Sequence, residues 1–239
     1  IVQGQSTLSF QATQLTLDLP QAQTLWLESF IDGQPARPRQ RLMQALCDHP
    51  PKRFILIQGP HGSGRSHLLQ GLCNRFNSVS RPCLYVPLAR SHQLSPAFLH
   101  QTEDTDLVCL DDLDHLTHQS DWAIAIERFI SAFMMQSGVL MISSHCAIED
   151  LSRSNPTLKP YLQLFSTITT QTLSQTENIQ LICQRGNALG LDIRHHAAKY
   201  LAQHYGPNSA TLMQHLQTLN LASLRAERAI TIPFIKSIL

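Results

Sequence analysis

Phe54-Ile-Leu-Ile-Gln-Gly-Pro-His-Gly-Ser-Gly-Arg-Ser-His-Leu-Leu69 joins an apolar run, a glycine-rich loop and the start of a helical pattern. From Gly59 the spacing is glycine, four residues, Gly64, Arg65, Ser66, the phosphate-loop pattern with arginine where lysine usually stands. Gly59, Gly62 and Gly64 reach backbone conformations closed to residues with a Cβ. The N–H groups around them therefore converge on phosphate oxygens at the positive end of the next helix. An ordinary strand-to-helix turn has no need of three glycines in so short a space. The expected nucleotide-binding set is Gly59, Pro60, His61, Gly62, Ser63, Gly64, Arg65, Ser66 and His67, with Arg65 supplying charge and the Ser66 hydroxyl reaching Mg²⁺. Arginine keeps the charge but is a planar fork where lysine is a compact point charge, so binding survives the change better than catalytic geometry does.

A second component lies downstream. Asp106-Leu-Val-Cys-Leu-Asp-Asp-Leu113 is an apolar strand ending in two carboxylates. By itself it reads as a strand running into a solvated turn. After a phosphate loop it reads as a Walker B strand, with Asp111 on Mg²⁺ and Asp112 where a water-activating carboxylate sits. Val139-Leu-Met-Ile-Ser-Ser144 is a further strand ending in hydroxyls placed to contact a γ-phosphate or the attacking water, with Ser144 as the expected sensor.

Composition narrows the class. The 239 residues are 43% hydrophobic, enough for a real core in one or two domains. A net charge of +1, 15% charged residues and no run of Lys or Arg exclude strong general binding to DNA or anionic membrane. Cys47, Cys73, Cys83, Cys109, Cys146 and Cys183 never form C-x-x-C, so a zinc site or disulfide framework is not indicated and a reducing, cytoplasmic setting is expected. No apolar stretch is long enough to span a membrane. His195 and His196 point about 100° apart on a helix and do not suit one metal ion.

Around these components, apolar strands alternate with helices. Helices are expected over Gln40–Cys47, Ser66–Phe76 and Trp122–Gln136 and from about Pro96, with strands at Phe54–Gln58, Cys83–Leu88 and Thr167–Leu173. Asp150–Pro160 is polar and broken by two prolines. The alternation predicts a parallel α/β sheet with the nucleotide at the carboxyl ends of its strands. At Ser174-Gln-Thr-Glu177, a capping box, the pattern turns helical through Glu177–Leu189, Arg194–Tyr205, Ser209–Arg228 and a short Thr231–Leu239 segment. The expected division is a flexible arm over 1–22, a nucleotide-binding α/β domain over 23–173 and an all-helical lid over 174–239. In the arm, Leu15, Leu17 and Leu19 alternate in a polar stretch, the pattern of an extended peptide that places side chains into a partner's pockets.

A P-loop α/β domain followed by a helical lid looks like an AAA+ ATPase. More closely, Leu84-Tyr-Val-Pro-Leu88, Leu107-Val-Cys-Leu-Asp-Asp-Leu113, Ser143-Ser144 and Ile230-Thr-Ile-Pro-Phe-Ile-Lys236 are similar to the Hda family, the regulatory inactivators of DnaA. Gln14, Leu15, Leu17 and Leu19 resemble the family's peptide for the replication sliding clamp. The resemblance spans nearly the whole chain. It implies a clamp-docked regulator that meets the DnaA initiator and promotes hydrolysis of the initiator's ATP. It also implies bound ADP or ATP, with Phe30 and Ile31 near the adenine. The initiator's DNA-binding domain has no counterpart after the lid, so sequence-specific DNA contact is not expected, while a homodimer stays open.

Two departures qualify the transfer. Where the family carries an arginine finger, Leu158-Lys-Pro-Tyr-Leu162 has Tyr161, and only a local shift of Lys159 or Arg153 would restore the charge. The family's lid arginine aligns with Ala210. Little intrinsic ATPase activity is expected. The alternative is a helicase-loader or clamp-loader type ATPase, which needs the intersubunit arginine that Tyr161 replaces. A small-molecule P-loop kinase and an adaptor with an empty pocket are further readings.

Overall fold

The computed structural model describes residues 25–49, 51–93, 95–101, 105–116, 120–206 and 208–239. The arm and its peptide at Gln14–Leu19 lie outside the described residues. Five parallel strands, β1 (Phe54–Gln58), β2 (Cys83–Pro87), β3 (Leu107–Asp111), β4 (Val139–Ser144) and β5 (Ser166–Thr169), form one sheet in the order β2-β3-β4-β1-β5. Both faces are covered, which is why the central strands read as continuous apolar runs. Ile55 and Ile57 pack with Leu42, Leu68, Leu69 and Leu72 under α1 (Pro38–Cys47) and α2 (Arg65–Ser78). Leu56, between them, faces Ile126, Phe129, Ile130 and Phe133 of α3 (Ser120–Phe133) on the other side.

The order of strands makes the crevice. β1 lies between β4 and β5, so the chain leaves it at a point where its neighbours connect to opposite directions, the place where open α/β sheets bind ligands. Asp32 secures the approach to α1: its two carboxylate oxygens accept from the first-turn amides of Arg39 (2.9 Å) and Gln40 (3.1 Å). The preceding segment crosses α2 where Gly71 has no side chain. A Cβ there would meet Leu27 N at 2.9 Å.

The stretch expected to be irregular, Asp150–Pro160, contains α4 (Ile148–Ser154) and α5 (Lys159–Leu162). Pro160 sits in the first turn of α5, and Pro156 opens the short 3₁₀ turn Pro156–Leu158 before it. Neither position calls for an N–H, so these prolines start helices instead of breaking them. The helix expected from Pro96 is a 3₁₀ segment, Pro96–Gln101.

The lid is α6 (Gln175–Ala188), α7 (His195–His204), α8 (Ser209–Ala226) and α9 (Ile232–Ile238). It has its own core, built on Ile182, Leu201, Leu212, Leu216, Leu219 and Ile235. The capping box forms as a reciprocal pair: Ser174 Oγ accepts from Glu177 N–H (3.3 Å) and Glu177 Oε2 accepts from Ser174 N–H (2.8 Å). Glu177 Oε1 also accepts from Gln34 N–H at 3.1 Å, which ties the segment before α1 to the first lid helix. Burial pushes the Glu177 carboxyl up, but the Ser174 hydroxyl (2.7 Å to Oε2) and the N–H groups of Ser174 and Gln34 outweigh it and hold the carboxyl below its ordinary range.

Candidate functional site: a phosphate loop closed by its own arginine

The loop between β1 and α2 has the backbone its glycines imply. Gly62 and Gly64 take φ of +75° and +90°. The first intrahelical bond of α2 runs from Leu68 N–H to Gly64 C=O (3.0 Å), so the preceding amides face the loop. Three elements press on it. Thr170, at the end of β5, packs so closely on Gly59 that a Cβ there has no room, and its hydroxyl bonds Ser63 Oγ at 2.6 Å. The Phe30 ring covers Gly64, where a Cβ would stand 2.6 Å from Cε2. Asn208, the residue that caps α8 by accepting from Thr211 N–H (2.9 Å), lies against Gly62.

Arg65 does not reach outward. Its side chain is 5% exposed and turns back across the inside of the loop. One guanidinium nitrogen donates to Gly59 C=O and the other pairs with Asp112 Oδ1 at 2.6 Å. Its Nε is buried with no hydrogen-bond partner among the described residues. Asp112 itself sits at φ +56°, a left-handed conformation that aspartate tolerates better than most residues, and donates its N–H to Ser143 Oγ (2.8 Å).

Asp111 is equally engaged. It is 3% exposed, and its two oxygens accept from Tyr85 Oη (2.5 Å) and Ser143 Oγ. Tyr85 Oη accepts in turn from Gln70 Nε2 at 2.8 Å. Burial, then the charge of Asp111, pushes the Tyr85 phenol far up, so it stays a donor. The expected carboxylate pair is thus present at the end of β3. Every oxygen of Asp111 and one of Asp112 already has a protein donor.

The hydroxyl that meets this pair is Ser143's. Register decides it: Leu107 to Leu110 align with Val139 to Ile142, so Asp111 falls level with Ser143. Ser144, expected in the sensing role, bends into its own turn, accepting from Cys146 N–H at 2.9 Å and donating to Cys146 C=O at 3.2 Å. Ser66 remains half-buried on the first turn of α2. His61 is exposed and stacks on His145 with ring centroids 5.1 Å apart, and His145 is bonded to Asp114. Pro60 lies exposed on the outer side of the loop.

His67 and Phe30 form the wall beyond the loop, their rings edge to face at 5.3 Å. His67 Nε2 donates to Trp26 C=O at 3.0 Å. Burial lowers its pKa from 6.5 to about 4, against the effect of that hydrogen bond and with help from the charge of Arg185 on α6, so the imidazole is neutral. Ile31 is half-buried beside Phe30.

Away from the loop, Tyr161 packs its ring on the core around Leu158 and Leu162 and does not project from α5. Lys159 and Arg153 line a groove of ≈ 620 Å³ with Ile148 and Phe165. Arg153 there pairs with Asp150 at 2.9 Å. Ala210 is exposed on the first turn of α8 and carries no charge toward the loop. Tyr85, Gln70 and Thr170 were not expected at the site, while Ser143 was expected there as one of the two hydroxyls that end β4.

Comparisons with known proteins agree with this arrangement. Residues 175–239 match the family model described as Hda, lid domain. An uncharacterised protein of Haemophilus influenzae is 32% identical over 187 residues, 78% of this chain and 81% of that protein. Domain III of the Thermotoga maritima replication initiation protein DnaA superposes with a TM-score of 0.75 at 16% identity, over 92% of this chain and 98% of its own. The AMPPCP-bound DnaA of Aquifex aeolicus gives 0.67 at 19% identity, over 86% and 68%. A Thermotoga maritima RuvB gives 0.67 at 14%, over 90% and 70%. The sheet order and the helical lid are those of an AAA+ protein, the lid matches one family, and the chain belongs to the Hda family of DnaA-related AAA+ proteins.

Proposed function

We propose that this chain is a nucleotide-holding regulator of replication initiation that docks on the sliding clamp through Gln14–Leu19 and acts on the DnaA initiator, lowering the supply of its ATP form. The observation that carries the nucleotide part is the loop itself: two glycines at positive φ, a helix start with open amides and a buried cation inside. A solved DnaA of the same fold is described as bound to AMPPCP, which supports ADP or ATP as the ligand here.

The site favours holding over turnover. Asp112, the residue placed to activate water, has an oxygen on Arg65. Asp111, the residue expected on Mg²⁺, has both oxygens engaged by protein hydroxyls, which compete with an ion for it. Ala210 in the lid and Tyr161 against the core bring no positive charge at the two positions where a cation was expected. Action on the initiator then proceeds by binding it while the clamp holds the pair together, with the groove of Lys159 and Arg153 as the cationic surface beside α5.

A reconstituted assay of initiator ATP turnover, with clamp and DNA present, tests this reading. Modest stimulation that is insensitive to Lys159→Ala and Arg153→Ala is the expected outcome; strong stimulation abolished by either substitution would show catalysis in trans. Clamp docking has its own test. Leu17→Ala with Leu19→Ala should abolish capture by immobilised clamp, and unchanged capture would refute the peptide assignment.

A further inference from the structure

We propose that this loop takes its nucleotide as the free anion, without a divalent cation, with Arg65 supplying the cation's charge and Tyr85 occupying the carboxylate oxygen that would hold it. The inference rests on the nucleotide reading above and concerns the same loop. In a P-loop site the ion lies between the hydroxyl after the basic residue and the strand-end aspartate, bound directly or through water. That aspartate must therefore have an oxygen to give.

Asp111 has none. Tyr85 Oη and Ser143 Oγ each donate to one of its oxygens, and neither donor is loosely held. Tyr85 is fixed from behind by Gln70 Nε2, and Ser143 by the N–H of Asp112. An ion that displaced either hydroxyl from Asp111 would strand it in a place where Asp111 is 3% exposed.

Charge points the same way. Arg65 lies across the inside of the loop on Gly59 C=O and Asp112, so a full positive charge already stands beside the phosphate cradle. It attracts a diphosphate. Its Nε–H, the buried side-chain nitrogen without an acceptor among the described residues, is a donor that a phosphate oxygen would satisfy. The ligand class is a nucleoside di- or triphosphate not chelated by metal. Magnesium in solution then competes with the protein for the nucleotide.

Calorimetric titration of ADP into the full chain, once with excess Mg²⁺ and once in EDTA, decides the matter. Affinity in EDTA should equal or exceed that in Mg²⁺; a loss of about tenfold or more on chelation would overturn the inference while leaving the nucleotide reading intact. Absence of binding in both arms overturns the nucleotide reading and this inference with it. Tyr85→Phe supplies the second measurement. It frees one oxygen of Asp111 and should make ADP binding about tenfold tighter with Mg²⁺ than in EDTA. A Tyr85→Phe protein indifferent to Mg²⁺ would remove Tyr85 from the assignment.

Discussion

Arg65 decides more about this site than any other side chain. A lysine would extend a single charge toward the phosphates, whereas the guanidinium fork spans from Gly59 C=O to Asp112 and closes the loop on itself. Because Arg65 is buried, removing its carboxylate leaves a desolvated cation without its counter-charge. Asp112→Ala should therefore cost about 3 kcal/mol. In a thermal melt that is a fall of roughly 6–12 °C for a chain of this size, and an unchanged melt would contradict the pairing. His67 acts through pH. Its folded pKa, about 4, lies below its ordinary value of 6.5, so its contribution is fully present above 6.5 and is lost as pH falls toward 4. Asp114 adds to the same trend at lower pH: burial raises its carboxyl, but the His145 amide and the His145 charge hold it below its ordinary range. Between pH 7 and pH 5 the His67 part should amount to about 2 kcal/mol. Urea unfolding at the two pH values should show a smaller difference for His67→Gln than for the parent, and an equal difference would exclude His67 as the cause.

At the scale of elements, capping and register explain where expectation and structure part. The apolar runs of β1, β3 and β4 are legible because both faces of each are buried, as Ile55, Leu56 and Ile57 show. The Ser174 capping box is legible because its chemistry is local, and it forms. Ser174→Ala should cost about 1 kcal/mol, measured as a shift in the denaturant midpoint. No shift would mean that the Ser174 hydroxyl does not stabilise the start of α6. The helices α4 and α5 were hidden by prolines that suit first turns as well as they break helix interiors. Both hydroxyls ending β4 were legible as site groups, but which of them meets Asp111 is set by the pairing with β3 and not by the sequence of β4 alone. Tyr85 had no signal at all. Its bond to Asp111 crosses from one strand to the next, and nothing in the spacing from Cys83 to Leu88 announces it.

Across the whole molecule, the loop is where the two folded parts meet. The lid reaches it through Asn208 on Gly62, and α6 holds the segment before α1 through Glu177 to Gln34 and Gln184 to Ser29 C=O (3.3 Å). That same segment lays Phe30 on Gly64. A nucleotide seated in the loop would therefore touch both parts at once, so its presence bears on how the lid is held, whether or not it is ever cleaved. The central claim, that the site retains a nucleotide and does not consume it, is tested most directly by single turnover. Labelled ATP is mixed with excess full-length chain, the protein is separated by gel filtration at intervals, and the bound label is resolved into ATP and ADP. The label should travel with the protein and remain ATP over hours. Label that does not travel with the protein, or that becomes ADP at a rate on the order of one per second, would contradict it.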